Sequence, residues 1–226
     1  MRTFDCAAIL FDLDGVLVDS TASVGRVWRA WAEQHGLDPD YVIRTAHGRR
    51  SVETIRLCAP HIDAEAAVRI VEKLEIDDTL DLAVINGARE LLSSIPADKW
   101  AVVTSGTRAL ATSRMRAANL PVPSILVTAN EVSEGKPHPE PYLKGAELMG
   151  LAPADCLVVE DTPAGIQAAR AAGMPVIALT TTYSSDTVRE GDAVVRHLGD
   201  VTVSAQDGRL RVMASTVVTG AVVERA

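Results

Sequence analysis

The chain has 226 residues, 47% of them hydrophobic, enough to bury a full core without disulfides or structural metal, in one large domain or a core with an insertion. Its net charge is −8 and no Lys/Arg cluster exceeds two adjacent residues, which argues against a nucleic-acid partner. An acidic protein that handles an anion must therefore build a local positive site from metal, lysine and backbone N–H groups.

In chain order, an apolar run at 6–11 ends on Asp12-Leu13-Asp14-Gly15. Only helical spacing follows, over 22–35, 39–46, 51–59 and 64–80. Asn86-Gly87 marks a return, with a first core helix at 87–94. Short apolar runs at 100–104, 124–127, 156–160 and 175–179 then alternate with helical patterns at 107–118, 139–149 and 162–172. This alternation predicts an α/β fold with a parallel sheet covered on both faces, interrupted by a small helical domain. The expected division is a core of residues 1–18 and 87–226 and an inserted domain of residues 19–86. Asp207-Gly208 between runs at 201–205 and 210–213 predicts a terminal hairpin.

Cys6, Cys58 and Cys156 have neither metal nor disulfide spacing and read as reduced thiols. The first residues lack the layout of a signal peptide, and no uncharged apolar run approaches the roughly 18 residues of a membrane span. The expectation is a cytoplasmic protein without membrane contact, a monomer or small homo-oligomer.

Asp12 and Asp14 stand at i and i+2 where a buried strand ends, so both project to one side at the carboxyl edge, where open α/β sheets bind ligands. An Asp-rich turn capping the next helix fits this spacing as well as a metal site does. A second acidic pair, Glu160-Asp161, again ends an apolar run, ahead of Thr162-Pro163-Ala164-Gly165. Two acidic strand tips can meet around one cation, and Mg²⁺ favours one or two carboxylates plus water and phosphate oxygens. Thr104-Ser105-Gly106 places hydroxyls at a strand end before a helix, which suits anionic oxygens or a plain N-cap. Lys136, in Gly135-Lys136-Pro137-His138-Pro139, offers a fixed positive charge.

These stretches resemble the haloacid dehalogenase-like hydrolase superfamily. Asp12-Leu13-Asp14-Gly15-Val16-Leu17-Val18-Asp19-Ser20 is similar to its first motif, Thr104-Ser105 to the second, Lys136 to the third and Glu160-Asp161 to the fourth. The resemblance implies a Rossmann-like parallel core with an inserted helical cap. It implies that Asp12 attacks phosphorus to give an aspartyl-phosphate, while Asp14 protonates the leaving oxygen and then deprotonates water. Mg²⁺ would be held by Asp12, the backbone carbonyl of Asp14 and Asp161, with Glu160 a ligand or a partner of the ligands. Thr104, Ser105 and Lys136 would grip the phosphoryl oxygens.

Trp31-Ala32-Glu33-Gln34-His35-Gly36-Leu37, His47-Gly48 and Val159–Gly165 look like sugar-phosphate phosphatases related to 2-deoxyglucose-6-phosphate phosphatase and β-phosphoglucomutase. The substrate expected from this likeness is a small phosphorylated sugar or polyol. In the mutase group a cap histidine stands twelve residues beyond the nucleophile; that position here is Val24, which favours hydrolysis over a mutase. A phosphoglycolate-type phosphatase is the other alternative. The loop from Thr45 to Ser51, with His47, Gly48 and Arg49, lies between two predicted cap helices and is the candidate for reading the leaving group.

Overall fold

The computed structural model describes residues 1–217; residues 218–226, part of the expected core range, lie outside the described residues. The chain opens with β1 (Arg2–Cys6) and β2 (Ala8–Phe11). The single run expected at 6–11 is thus divided at Ala7, whose N–H donates to Asp155 O at 2.7 Å. β1 leaves for a different sheet, because only its last residue is buried.

β3 (Val18–Asp19) leads into α1 (Thr21–Gln34), α2 (Pro39–Ala46), α3 (Ser51–Cys58) and α4 (Ala64–Asp77), and β4 (Ala83–Val84) returns. Asp38 and Asp63 accept the first free amides of α2 and α4. α4 stops short of the expected residue 80 because both carboxylate oxygens of Asp78 are taken by Arg26, each at 2.9 Å. The segment is not purely helical: β3 and β4 pair antiparallel, Val18 opposite Val84. Its helices share an apolar cluster of their own around Trp28, Trp31, Val42, Ile55 and Val71.

After α5 (Ala88–Ser94) come β5 (Trp100–Val103), α6 (Arg108–Ala117), β6 (Leu126–Val127), α7 (Glu140–Met149), β7 (Cys156–Glu160), α8 (Pro163–Ala171), β8 (Val176–Leu179) and β9 (Ala193–Val195). The parallel sheet runs β6-β5-β2-β7-β8-β9. Alternate residues of each strand feed opposite faces, as the two-residue period of a strand requires. Ile9, Phe11, Val102, Leu157 and Val159 pack under α5 and α6; Leu10, Val103, Val158 and Ala178 pack under α7 and α8.

The terminal hairpin is present as β10 (Val201–Gln206) and β11 (Arg209–Ala214), turning on Asp207 and Gly208, both with positive φ. β11 also pairs with β1, and this three-stranded sheet seals the α5 face through Leu210 and Val212. β2, β5 and β7 are adjacent and parallel, so their carboxyl ends meet at one edge.

Candidate active site

Four of the residues singled out in the sequence meet at that edge. Asp12 follows β2, held by its N–H donating to Val159 O at 3.0 Å; Glu160 ends β7 and Asp161 follows it. Lys136, just before α7, is 1% exposed, and its Nζ donates to Asp12 Oδ1 at 2.7 Å, Glu160 Oε1 at 2.8 Å and Val103 O at 3.0 Å. All three ammonium protons are thus committed inside the protein. The charge of Lys136 is held in place, and its three bonds go to Asp12, Glu160 and Val103 O.

Glu160 and Asp161 are neighbours with opposite surroundings. Glu160 Oε1 accepts from Lys136 and from Tyr142 Oη, and Oε2 accepts from the N–H groups of Asp161 and Thr162 and from Thr162 Oγ1. Burial would raise its pKa, but Lys136 and these amides hold it below the usual carboxylate range. Asp161 is fully buried and, among the described residues, neither carboxylate oxygen has a hydrogen-bond partner. Burial, then Glu160 and Asp12, push it well above its ordinary value. Burial also lifts Asp12 to about 7, with Lys136 pulling down and Glu160 pushing up.

Asp12, Glu160 and Asp161 each place a carboxylate oxygen within 4.8 Å of the others. Three buried carboxylates face one ammonium, and Asp161 has no hydrogen-bond partner among the described residues. Such an excess of buried negative charge is costly unless a cation balances it. The donor set is all oxygen and fits Mg²⁺. Gly15 keeps the approach open, since a Cβ there would lie 2.0 Å from Asp161 Oδ2.

Asp14 points to the cavity beside these acids. Its Oδ1 accepts from Ser20 Oγ at 2.7 Å, and Arg114 Nη1 lies 2.8 Å from Oδ2. Arg114, on α6, also reaches Glu75 Oε1 on α4 at 3.1 Å. Sequence reasoning missed Glu75 and Arg114, which look there like any solvated helix charges. Burial opposes the charge of Arg114, yet Asp14 and Glu75 more than offset it. Burial raises the pKa of Glu75, against the pull of Arg114.

The cavity is lined by Asp12, Asp14, Thr104, Ser105 and Asp161 on the core side. Across it stand Val24 and Trp28 of α1 with His47, Gly48 and Arg49 of the loop between α2 and α3. The loop residues expected to read the leaving group therefore face the expected nucleophile. Trp28 was not foreseen; it also belongs to the apolar cluster of the inserted helices. Gly48 has φ +76° and a Cβ there would meet Thr162 Oγ1 at 2.7 Å, so only glycine lets the loop come this close. Ser105 Oγ donates to Gly48 O at 2.9 Å, tying the loop to the hydroxyl turn after β5. Thr104 Oγ1 accepts from Gly106 N, bracing that turn. Burial lowers the pKa of His47.

Residues 6–173 match the family model for haloacid dehalogenase-like hydrolases. Hexitol phosphatase A of Escherichia coli is 41% identical over 89% of this chain and 95% of its own. Glycerol-1-phosphate phosphohydrolase 2 of Saccharomyces cerevisiae is 35% identical over 81% of this chain and 78% of its own. A crystal structure of a hydrolase from Pseudomonas syringae superposes with a TM-score of 0.75 at 26% identity, over 84% of this chain and 92% of that one. The chain belongs to the haloacid dehalogenase-like hydrolases, and it is an enzyme of their phosphoric monoester hydrolase class. No helix among the described residues is long and apolar enough to cross a membrane.

Proposed function

We propose that this enzyme hydrolyses phosphate monoesters of small polyols and sugars, with Asp12 as the nucleophile. The observation that carries the reading is Asp12 itself. It is buried at the tip of a central strand, gripped by Lys136 at 2.7 Å, beside an Asp161 without a hydrogen-bond partner among the described residues, and it lines a cavity that the inserted helices also wall. Residues 1–18 and 87–226 form the catalytic core in this reading, and residues 19–86 form the cap that closes over it.

An Asp12 carboxylate oxygen attacks phosphorus as the bond to the alcohol oxygen breaks, giving an aspartyl-phosphate and an alkoxide that Asp14 protonates. Asp14 then takes a proton from water as that water attacks the phosphorus, which releases inorganic phosphate and frees Asp12. Lys136, Thr104, Ser105 and nearby backbone N–H groups offset the phosphoryl charge. Asp12, Asp161 and the backbone carbonyl of Asp14 would hold Mg²⁺, which when bound supplies charge neutralisation for the phosphoryl oxygens. Glu160, saturated by its five donors, serves as the partner that fixes Lys136.

The hexitol and glycerol phosphatase relatives support a polyol phosphate as substrate. The cavity suits it: Trp28 and Val24 give an apolar wall, while Thr21, His47, Arg49 and Ser51 offer groups that bond hydroxyls. Val24 leaves α1 without a titratable side chain at that wall, which supports water as the phosphoryl acceptor. Three free thiols fit a reducing cytoplasm.

Phosphate release across hexitol, glycerol, hexose and glycolate phosphates, with Mg²⁺ and with chelator, tests this directly. Polyol phosphates are expected to turn over fastest, only with Mg²⁺, and Asp12→Asn is expected to lose at least about 10³-fold in kcat, the scale of losing a nucleophile. Turnover by Asp12→Asn near the wild-type rate rejects the nucleophile, and a preference for glycolate phosphate rejects the substrate class.

A further inference from the structure

Asp14 has both carboxylate oxygens engaged, one by a residue six positions on and one by a residue a hundred positions away. Ser20 holds Oδ1 and Arg114 holds Oδ2. The same guanidinium commits its second terminal nitrogen to Glu75. Arg114 is 3% exposed and Glu75 4%, and both line the cavity, so neither is a solvated surface charge. Arg114 stands on α6 beside the parallel sheet, whereas Glu75 stands on α4 among the inserted helices, and α4 rests on α6. A planar guanidinium committed at both terminal nitrogens has a fixed plane, which fixes the carboxylate it faces. Its Nε has no partner among the described residues, so without Glu75 it would be held there at one nitrogen only.

We propose that Glu75 and Arg114 are a positioning pair that sets the Asp14 carboxyl, so that protonation of the leaving oxygen requires α4 to be seated on α6. The inference rests on the reading of Asp14 as the acid and base. Proton transfer needs donor and acceptor within about 2.6–3.2 Å, and a misplacement of about 1 Å costs up to about 10²-fold in rate. Neither Glu75 nor Arg114 touches the reacting atoms in this role. Arg114 aims Asp14, and Glu75 aims Arg114.

The test compares kcat/KM, which covers the steps up to departure of the alcohol, on three esters. Glycerol phosphate has hydroxyls and a leaving oxygen that must be protonated; n-butyl phosphate has only the leaving oxygen; p-nitrophenyl phosphate releases a phenolate that needs no proton. Glu75→Gln keeps the volume and an acceptor oxygen but loses the charge that anchors the guanidinium. It is expected to lower kcat/KM about 10- to 100-fold on both alkyl esters and less than about 2-fold on the aryl ester. Glu75→Asp is expected to recover part of the alkyl rate. A fall on glycerol phosphate alone means that the pair reads substrate hydroxyls and overturns the inference. An equal fall on all three esters, or on none, overturns it too. Cooperative melting reports folding, and should Glu75→Gln fail to fold, Arg114→Lys carries the same comparison, since one ammonium cannot fork between two carboxylates. Asp14→Asn at the wild-type rate on alkyl esters removes the reading of Asp14 itself. Asp14→Asn inactive beside an undiminished Glu75→Gln removes only the pair.

Discussion

Glu160 and Asp161 are consecutive, equally buried and chemically alike, yet among the described residues one accepts five hydrogen bonds and the other none. The strand end explains the contrast. The backbone turns into α8 immediately after Glu160, so the free amides of that turn point back at Glu160, and Asp161 is left facing Asp12. In the proposed reading a cation supplies what Asp161 lacks. Mg²⁺ at about 100 times its Kd should stabilise the protein by about 2.7 kcal/mol, or about 5–10 °C in Tm for a chain of this size. Asp161→Asn should abolish that gain and melt higher than the wild type in chelator, because it removes a carboxyl whose burial beside Glu160 and Asp12 is costly. Thermal scans with and without Mg²⁺ check both; an undiminished Mg²⁺ shift in the variant would place the ion elsewhere. The acids were legible in the sequence because each pair follows an uninterrupted apolar run. Arg114 was not, because Arg108, Arg114 and Arg116 share one helix and only packing decides that Arg114 alone is buried.

At the scale of elements, the strands of the parallel sheet were readable where they are wholly buried, as in β5, β7 and β8. The ones overlooked have less to show. β1 is mostly exposed, β9 has three residues, and β3 and β4 have two each, so none makes an apolar run long enough to stand out. The loop of residues 47–50 was found by its position between helices, Gly48 included, but that a Cβ at Gly48 would strike Thr162, which caps α8, only the fold reveals. Gly48→Ala places a methyl 2.7 Å from Thr162 Oγ1 on backbone of positive φ. The loop must lift, and the Ser105–Gly48 bond lengthens with it. A strained position of this kind costs about 1–3 kcal/mol. The expected result is a rise of about 10-fold in KM for polyol phosphates with a Tm lowered by a few degrees; steady-state kinetics with an unchanged KM would show that the seat does not matter to binding.

Across the whole molecule, three apolar clusters divide the labour: two sandwich the parallel sheet and a third holds α1 to α4 together. The third cluster meets the rest through polar contacts around the cavity. Besides the Glu75–Arg114 pair and the Ser105–Gly48 bond, Arg50 donates to Val132 O at 3.1 Å and Ser133 O at 2.8 Å, and Glu53 accepts from Gly135 N at 3.2 Å. Polar contacts can be broken and remade with each substrate more readily than a dry apolar seam. Hydrogen bonds from a charged group are worth about 1.5–3 kcal/mol, so Arg50→Ala should speed amide exchange in residues 132–135 roughly ten- to hundredfold while leaving β2, β5 and β7 protected. Hydrogen-exchange mass spectrometry showing no local change would mean that Arg50 does not hold this edge.

The pairing of β3 with β4 has one more consequence. Val18 lies opposite Val84, and Ile85 N donates to Leu17 O at 3.0 Å, so the chain leaves the sheet and re-enters it side by side. The ends of the detour are already joined, so its length adds little to the loop-closure entropy of the remainder, and that term grows only slowly with length in any case. The detour behaves like a cassette on a two-pin socket. Helices between residues 20 and 82 can lengthen or shorten over generations while the socket keeps its register, provided that α4 still brings Glu75 to Arg114.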